Sequence, residues 1–128
     1  MKFILVADDD DDDRMLFRMA FSVIISDMAL EIVSSGQQVL DYLETSVEHL
    51  PSLIVLDYNM PQLNGAAVIR AVYKRPKYLS IPIVVFSTSD SEAMTKECLK
   101  EGAIKCFVKP STMKQLVSTT EEMLTFCC

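Results

Sequence analysis

The sequence predicts an α/β fold, a doubly wound five-stranded parallel sheet in (βα)5 order, formed as one domain by residues 1–128. Three observations carry this reading. Five short apolar runs alternate with five segments of helical periodicity. Three of the runs are nearly all apolar, as strands covered on both faces must be. Finally, Asp8, Asp9, Asp57, Ser87 and Lys109 all fall just after a run, where the ends of parallel strands share one edge.

Taken in order, the first strand is expected at Lys2–Ala7 and halts at an unbroken run of six aspartates, Asp8–Asp13. Behind it Leu16, Phe17, Ala20, Phe21 and Ile24 recur at the spacing of a helix stripe. The second strand is expected at Ala29–Val33, and Val39, Leu40, Leu43 and Val47 mark the next helix. Leu53–Leu56 reads as the third strand, and Ala66–Tyr73 as its helix, with Gly65 just before it. Pro82–Phe86 is the fourth strand, followed by a helix over Glu92–Glu101 with Gly102 at its C′ position. Ile104–Val108 is the fifth, and Met113, Leu116, Val117, Thr120 and Leu124 stripe the last helix. Crossovers between such strands are right-handed.

A chain of 128 residues suffices for one core and is too short for a second folded unit. Half of it is apolar and 23% charged, an ordinary globular composition. The net charge of −6 comes from 18 acidic and 12 basic residues, and the six-aspartate run alone accounts for the imbalance. No clustered positive face remains, which argues against a nucleic-acid surface. The apolar segment after Lys2 is shorter than the roughly 7–15 residues of a signal-peptide core and ends in aspartates. No stretch approaches membrane-spanning length. Cys98, Cys106, Cys127 and Cys128 lack the spacing of a zinc site, so a reduced, cytoplasmic protein is expected, with Cys127-Cys128 as an exposed tail. The eight methionines fall mostly on helix stripes and read as core filler. His49, the only histidine, lies in a connection and reads as a surface residue.

Six adjacent carboxylates cannot crowd the end of a buried strand unless something neutralises them, most economically a divalent cation. Asp57 ends a second apolar run and Lys109 a third. If these runs are parallel strands, their ends converge into a single acidic, metal-dependent site with one positive charge beside it. Two registers of the acid pair fit the run, Asp8 with Asp9 or Asp9 with Asp10. Asp10–Asp13 read mainly as loop, cap and first helical turn, where carboxylates stabilise a helix N-terminus by roughly 0.3–1 kcal/mol each.

Together, Val6-Ala7-Asp8-Asp9, Leu56-Asp57-Tyr58-Asn59-Met60-Pro61 with Asn64-Gly65, Ser87-Thr88 and Val108-Lys109-Pro110 resemble the receiver domain of two-component response regulators. The likeness covers the whole chain in the family's order and spacing. It implies a stand-alone receiver with flavodoxin-like strand order 2-1-3-4-5. It also implies that Asp57 is the phosphoacceptor, taking a phosphoryl group from a phosphohistidine on a sensor histidine kinase or histidine phosphotransfer protein. Such a chain is no enzyme beyond its own phosphotransfer and autodephosphorylation. The implied cofactor is Mg²⁺, held by Asp8, Asp9, Asp57 and the backbone carbonyl of Asn59; Arg14 keeps step with the family only when Asp8 pairs with Asp9. Lys109 is implied to place its charge on the phosphoryl group, aimed inward by a cis Lys109–Pro110 bond. Ser87, favoured over Thr88 by its spacing to Lys109, is implied to hydrogen-bond that group and draw the following loop inward. Asn59 and Ser89 should influence the lifetime of the acyl phosphate. Output is expected by protein contact through the fourth helix, fifth strand and fifth helix, without nucleic acid or membrane, and a homodimer through the last helices is compatible with it.

One position departs from the family. Three residues before the lysine it usually carries Tyr or Phe as an aromatic switch, and here stands Cys106, with Phe107 directed to the opposite face. A thiol cannot sweep the same volume, so either the switch is muted or Phe86 or another side chain substitutes. The alternative reading is a phosphorylation-independent interaction module; such proteins usually lose the acceptor, the acid pair or the lysine, and all are present here. A haloacid-dehalogenase-like phosphohydrolase, with Asp8 as nucleophile and Asp10 as acid, wants Thr or Val where Asp12 stands and has no use for Asp57.

Overall fold

In the computed structural model, which describes residues 2–45 and 48–128, the five apolar runs become strands. These are β1 (Phe3–Ala7), β2 (Ala29–Val33), β3 (Leu53–Asp57), β4 (Ile83–Ser87) and β5 (Lys105–Val108). Helices α1 (Asp11–Ser22), α2 (Gly36–Thr45), α3 (Gly65–Tyr73), α4 (Glu92–Glu101) and α5 (Met113–Leu124) follow them in turn, with a short 3-10 turn at Pro76–Tyr78. All four strand pairings are parallel, in the order β2-β1-β3-β4-β5. The direction of chain progression reverses between β1 and β3, so a crevice opens beyond their C-terminal ends.

Side-chain alternation along the strands divides the core in two. Leu5, Ile54, Leu56, Ile83 and Val85 pack with Val39, Leu43, Val68, Ile69, Met94 and Cys98 from α2, α3 and α4. Ile4, Val6, Val55, Val84 and Phe86 pack with Phe17 and Ala20 of α1 and Leu116 and Met123 of α5. Every residue of β1, β3 and β4 is buried, and each large apolar side chain so removed from water contributes about 1.5–3 kcal/mol. The edge strands β2 and β5 are only partly covered.

All five helices begin on side-chain caps: Asp10, Ser35, Asn64, Ser91 and Thr112 each accept a backbone N–H of the first turn. Each cap is worth about 1 kcal/mol. Gly102 closes α4 in the left-handed region at φ 118°, where a Cβ would also meet the Tyr73 ring at 2.7 Å.

Several boundaries and faces differ from expectation. β3 and β4 extend to Asp57 and Ser87, and β4 starts after Pro82, which has no N–H to give a ladder. Phe17 and Ala20 define the buried stripe of α1, whereas Leu16 is 38% exposed because it lies one residue round the helix from Phe17. Met60, Met94 and Met123 are core residues, but Met15 and Met19 lie on the outward face of α1, 54% and 51% exposed. Val47 lies outside the described residues. Cys127 is not a free tail: it packs against the second core cluster, and Cys128 donates its N–H to the Ser52 carbonyl at 3.1 Å. No helix among the described residues is long and apolar enough to cross a membrane.

Candidate functional site

Asp57 closes β3 in register with Phe86 of β4, and Asp8 directly follows β1 across the crevice. Both are buried, 6% and 5% exposed, whereas Asp9 is open to solvent. The three carboxylates offer oxygens that all lie within 4.8 Å of one another. Asp10 is turned away from them, its Oδ1 accepting the N–H groups of Asp12 at 2.8 Å and Asp13 at 3.3 Å. Of the two registers for the acid pair, the geometry therefore groups Asp8 and Asp9 with Asp57. The Asp10 N–H donates to Asp8 Oδ1 at 3.0 Å, and Arg14 donates to the Asp8 carbonyl at 2.8 Å, which fixes the turn leaving β1.

Lys109 follows β5 and reaches into this group. Its Nζ lies 2.7 Å from Asp8 Oδ2, 2.8 Å from Asp13 Oδ2 and 3.6 Å from Asp57 Oδ1. Its backbone N–H donates to the Ser87 carbonyl at 2.7 Å, tying it to the end of β4. The side chain passes over Phe86, with Nζ 5.8 Å from the ring centroid. The Lys109–Pro110 bond is trans, contrary to the family-based expectation: among the described residues there is no cis peptide. The three carboxylates and the tie to Ser87 draw the ammonium inward.

The sequence reads Asp13 only as part of the loop, cap and first helical turn, whereas the structure pairs it with Lys109. A signal existed. Asp13, Phe17 and Ala20 fall at i, i+4 and i+7, so once α1 is seen to start after Asp10, Asp13 continues the inward stripe.

Burial pushes the Asp57 carboxyl up from 3.8 to about 7. Lys109 opposes that rise, the Asp8 charge and a hydrogen bond with Asp9 add to it, and the Asn59 N–H opposes it. Burial by itself would lower Lys109, but its hydrogen bonds to Asp13 and Asp8 and the charge of Asp57 outweigh this and raise it above the usual lysine range. Three clustered carboxylates, two of them buried, form a hard all-oxygen donor set, and a small divalent cation would offset both desolvation and mutual repulsion. The residues fit such an ion.

Ser87 is fully buried, and its Oγ accepts the Ser89 N–H at 3.2 Å, whereas the neighbouring Thr88 is exposed. Asn59 and Ser89 line an open cleft of about 430 Å³ with Tyr58, Ser91, Met94 and Glu97. Cys106 faces α4, packed against the core cluster that holds Met94 and Cys98, while Phe107 packs on the opposite face with its ring 6.4 Å from Phe126. Phe86 belongs to that opposite face too, buried against Phe17 at 6.3 Å. It therefore does not occupy the place of the missing aromatic.

The chain matches the response regulator receiver domain family over residues 4–121. The two-component response regulator ORR8 of Oryza sativa is 33% identical over 107 residues, covering 84% of this chain and 85% of the rice protein. Among solved structures, the phosphorylated cyanobacterial phytochrome response regulator RcpA has a TM-score of 0.88 at 25% identity, covering 98% of this chain and 93% of that one. The Mn(2+)-bound form of response regulator Rcp1 has a TM-score of 0.85 at 25% identity, over 98% and 94% of the two chains. The chain spans 85% of the length of the rice protein but 32% of that of the protein-glutamate methylesterase/protein-glutamine glutaminase of Archaeoglobus fulgidus, to which it is 28% identical over 116 residues. Sheet order, family match and these likenesses agree, and the chain belongs to the response regulator receiver family of two-component signalling.

Proposed function

We propose that Asp57 is the phosphoacceptor of this receiver and that Lys109, Ser87 and a Mg²⁺ site formed by Asp8, Asp9, Asp57 and the Asn59 carbonyl serve the transfer. An Asp57 carboxylate oxygen attacks the phosphorus of a phosphohistidine on a partner kinase or phosphotransfer protein. The O–P bond forms, the P–N bond breaks, and the departing imidazole takes up a proton. Bound Mg²⁺ would supply the positive charge that lets two anions approach. Lys109 then turns its ammonium from Asp8 to the phosphoryl oxygens, and the Ser87 hydroxyl donates to one of them. Beyond this transfer and its own autodephosphorylation, no turnover is proposed for the chain. Its output is contact with a target protein across α4, β5 and α5, where Leu99, Ile104 and Val108 are exposed, and the setting is the cytoplasm.

The observation that carries this reading is the convergence of Asp8, Asp57 and Lys109 from three strands onto one buried point. Incubation with acetyl phosphate and Mg²⁺ tests it. The expected result is one phosphoryl mass on the intact protein, lost with EDTA and in Asp57→Asn. An unchanged mass would favour the phosphorylation-independent module.

A further inference from the structure

The hydrogen bonds around α4 form two separate chains that start at the site. The first runs through serines. The Ser89 N–H donates to Ser87 Oγ at 3.2 Å, the Ser91 N–H to Ser89 Oγ at 3.2 Å, and the Met94 N–H to Ser91 Oγ at 3.4 Å. Ser91 is the N-cap of α4, so this relay joins the buried Ser87 hydroxyl to the start of the helix. The second begins at Tyr58, the residue after Asp57. Its backbone carbonyl accepts from Met60 at 3.1 Å and Gly65 at 2.9 Å, which fixes its position. Its hydroxyl donates to Glu97 Oε1 at 2.6 Å and accepts from the Asn64 amide at 3.4 Å. Glu97 lies midway along α4.

We infer that the Tyr58–Glu97 hydrogen bond is the latch holding α4 in its resting position, and that occupancy of Asp57 by a phosphoryl group releases it. The inference rests on the phosphoacceptor reading of Asp57. If Ser87 donates to the phosphoryl group, its Oγ turns away from the Ser89 N–H and the serine relay slackens at its first link. The start of α4 is then free to follow the loop inward, and the Tyr58–Glu97 bond ties the middle of the helix to the residue that follows the acceptor. Cys106, too small to move as an aromatic ring would, leaves this latch to set how far the helix responds. A contact made in only one of two states biases the equilibrium by its differential strength.

The chain has four tyrosines and no tryptophan, so its intrinsic emission is tyrosine emission, and a carboxylate hydrogen bond quenches it. The test titrates the protein with Mg²⁺ and beryllofluoride, an acyl-phosphate mimic, reading tyrosine emission and the ¹⁹F signal of bound ligand together. Emission should rise as the mimic binds, and this rise should vanish in Tyr58→Phe. Tyr58→Phe and Glu97→Ala should each tighten beryllofluoride binding roughly three- to tenfold, and the double variant no further than either alone. Bound ¹⁹F signal without any emission change, or single variants that bind as the parent does, overturns the latch. No bound ¹⁹F signal in the parent overturns the phosphoacceptor reading as well, and so separates the two failures.

Discussion

Lys109 sits closer to Asp8 than to Asp57: its Nζ is 2.7 Å from Asp8 Oδ2 and 3.6 Å from Asp57 Oδ1. The lysine thus competes for a carboxylate that a cation at this site would use. Lys109→Ala removes that competitor, and Mg²⁺ affinity should rise by roughly three- to tenfold rather than fall. Phosphoryl transfer to Asp57 should be lost or strongly slowed in the same variant. The metal-free protein should melt lower, because buried carboxylates lose their counter-charge. Titration of Mg²⁺ against melting temperature, beside acetyl phosphate labelling, checks all three; parallel loss of metal affinity and labelling would make the lysine a structural residue.

Asp13 holds Lys109 from α1, 2.8 Å away and with its side chain 31% exposed. Asp13→Asn keeps the size and weakens a charge-assisted bond that partial exposure already screens, so the expected loss is about 1 kcal/mol. Chemical denaturation at low and high salt measures it, and the loss should shrink as salt rises. Freed of one partner, Lys109 should also lie nearer Asp57, so the acceptor's deprotonation should shift to lower pH.

The raised carboxyl of Asp57 makes a signed pH prediction. The ordinary value of the group is 3.8, and burial in the metal-free fold pushes it up to about 7. Between those values the folded protein keeps a proton that the unfolded chain has released. This group therefore contributes most below the lower value, and its contribution declines as pH rises towards the upper one. Metal-free protein should lose stability over that interval, and Asp57→Asn should remove the decline and stabilise the fold above pH 7 by roughly 1–3 kcal/mol. A divalent cation needs the deprotonated carboxylate, so its affinity should climb up to about tenfold per pH unit before flattening near the upper value. Melts at several pH values, with EDTA or Mg²⁺, separate the two curves; a stability that rises with pH in EDTA would refute the assignment.

What was legible in the sequence follows from how each residue is constrained. β1, β3 and β4 are buried on both faces, and that demand leaves nothing but apolar residues until the strand ends. Asp57 and Lys109 stand out because each interrupts such a run. Asp13 did not stand out, since its neighbours are identical and only the start of α1 at the Asp10 cap sets its direction. Met15 and Met19 misled for the opposite reason: their spacing suits a stripe, and only packing shows that it faces outward. Tyr58 and Glu97 are 39 residues apart, and no periodicity relates them. Their meeting depends on how α3 and α4 pack side by side, which is a tertiary fact.

Gly65 sets two opposing effects against each other. It is the first residue of α3, where Gly→Ala ordinarily favours the helix by up to about 1 kcal/mol. A Cβ there would lie 3.1 Å from the Tyr58 Cα and 3.3 Å from the Asp57 carbonyl oxygen. Both neighbours are backbone, and both belong to the segment that presents the acceptor, so neither can swing aside as a side-chain tip would. Gly65 also donates its N–H to the Tyr58 carbonyl at 2.9 Å, which holds the two segments together at that spacing. Overpacking of this kind costs about 1–3 kcal/mol and exceeds the propensity gain. Gly65→Ala should therefore destabilise the protein. It should also weaken Mg²⁺ binding and slow labelling of Asp57, because relief of the contact displaces the loop between Asp57 and Asn64. A control at Ala67, two residues on in the same helix and only partly buried, separates helix propensity from contact: Ala67→Gly should cost stability yet leave Mg²⁺ affinity unchanged. If Gly65→Ala instead raised the melting temperature with metal affinity intact, the close approach of α3 to the acceptor strand would not be what the glycine serves.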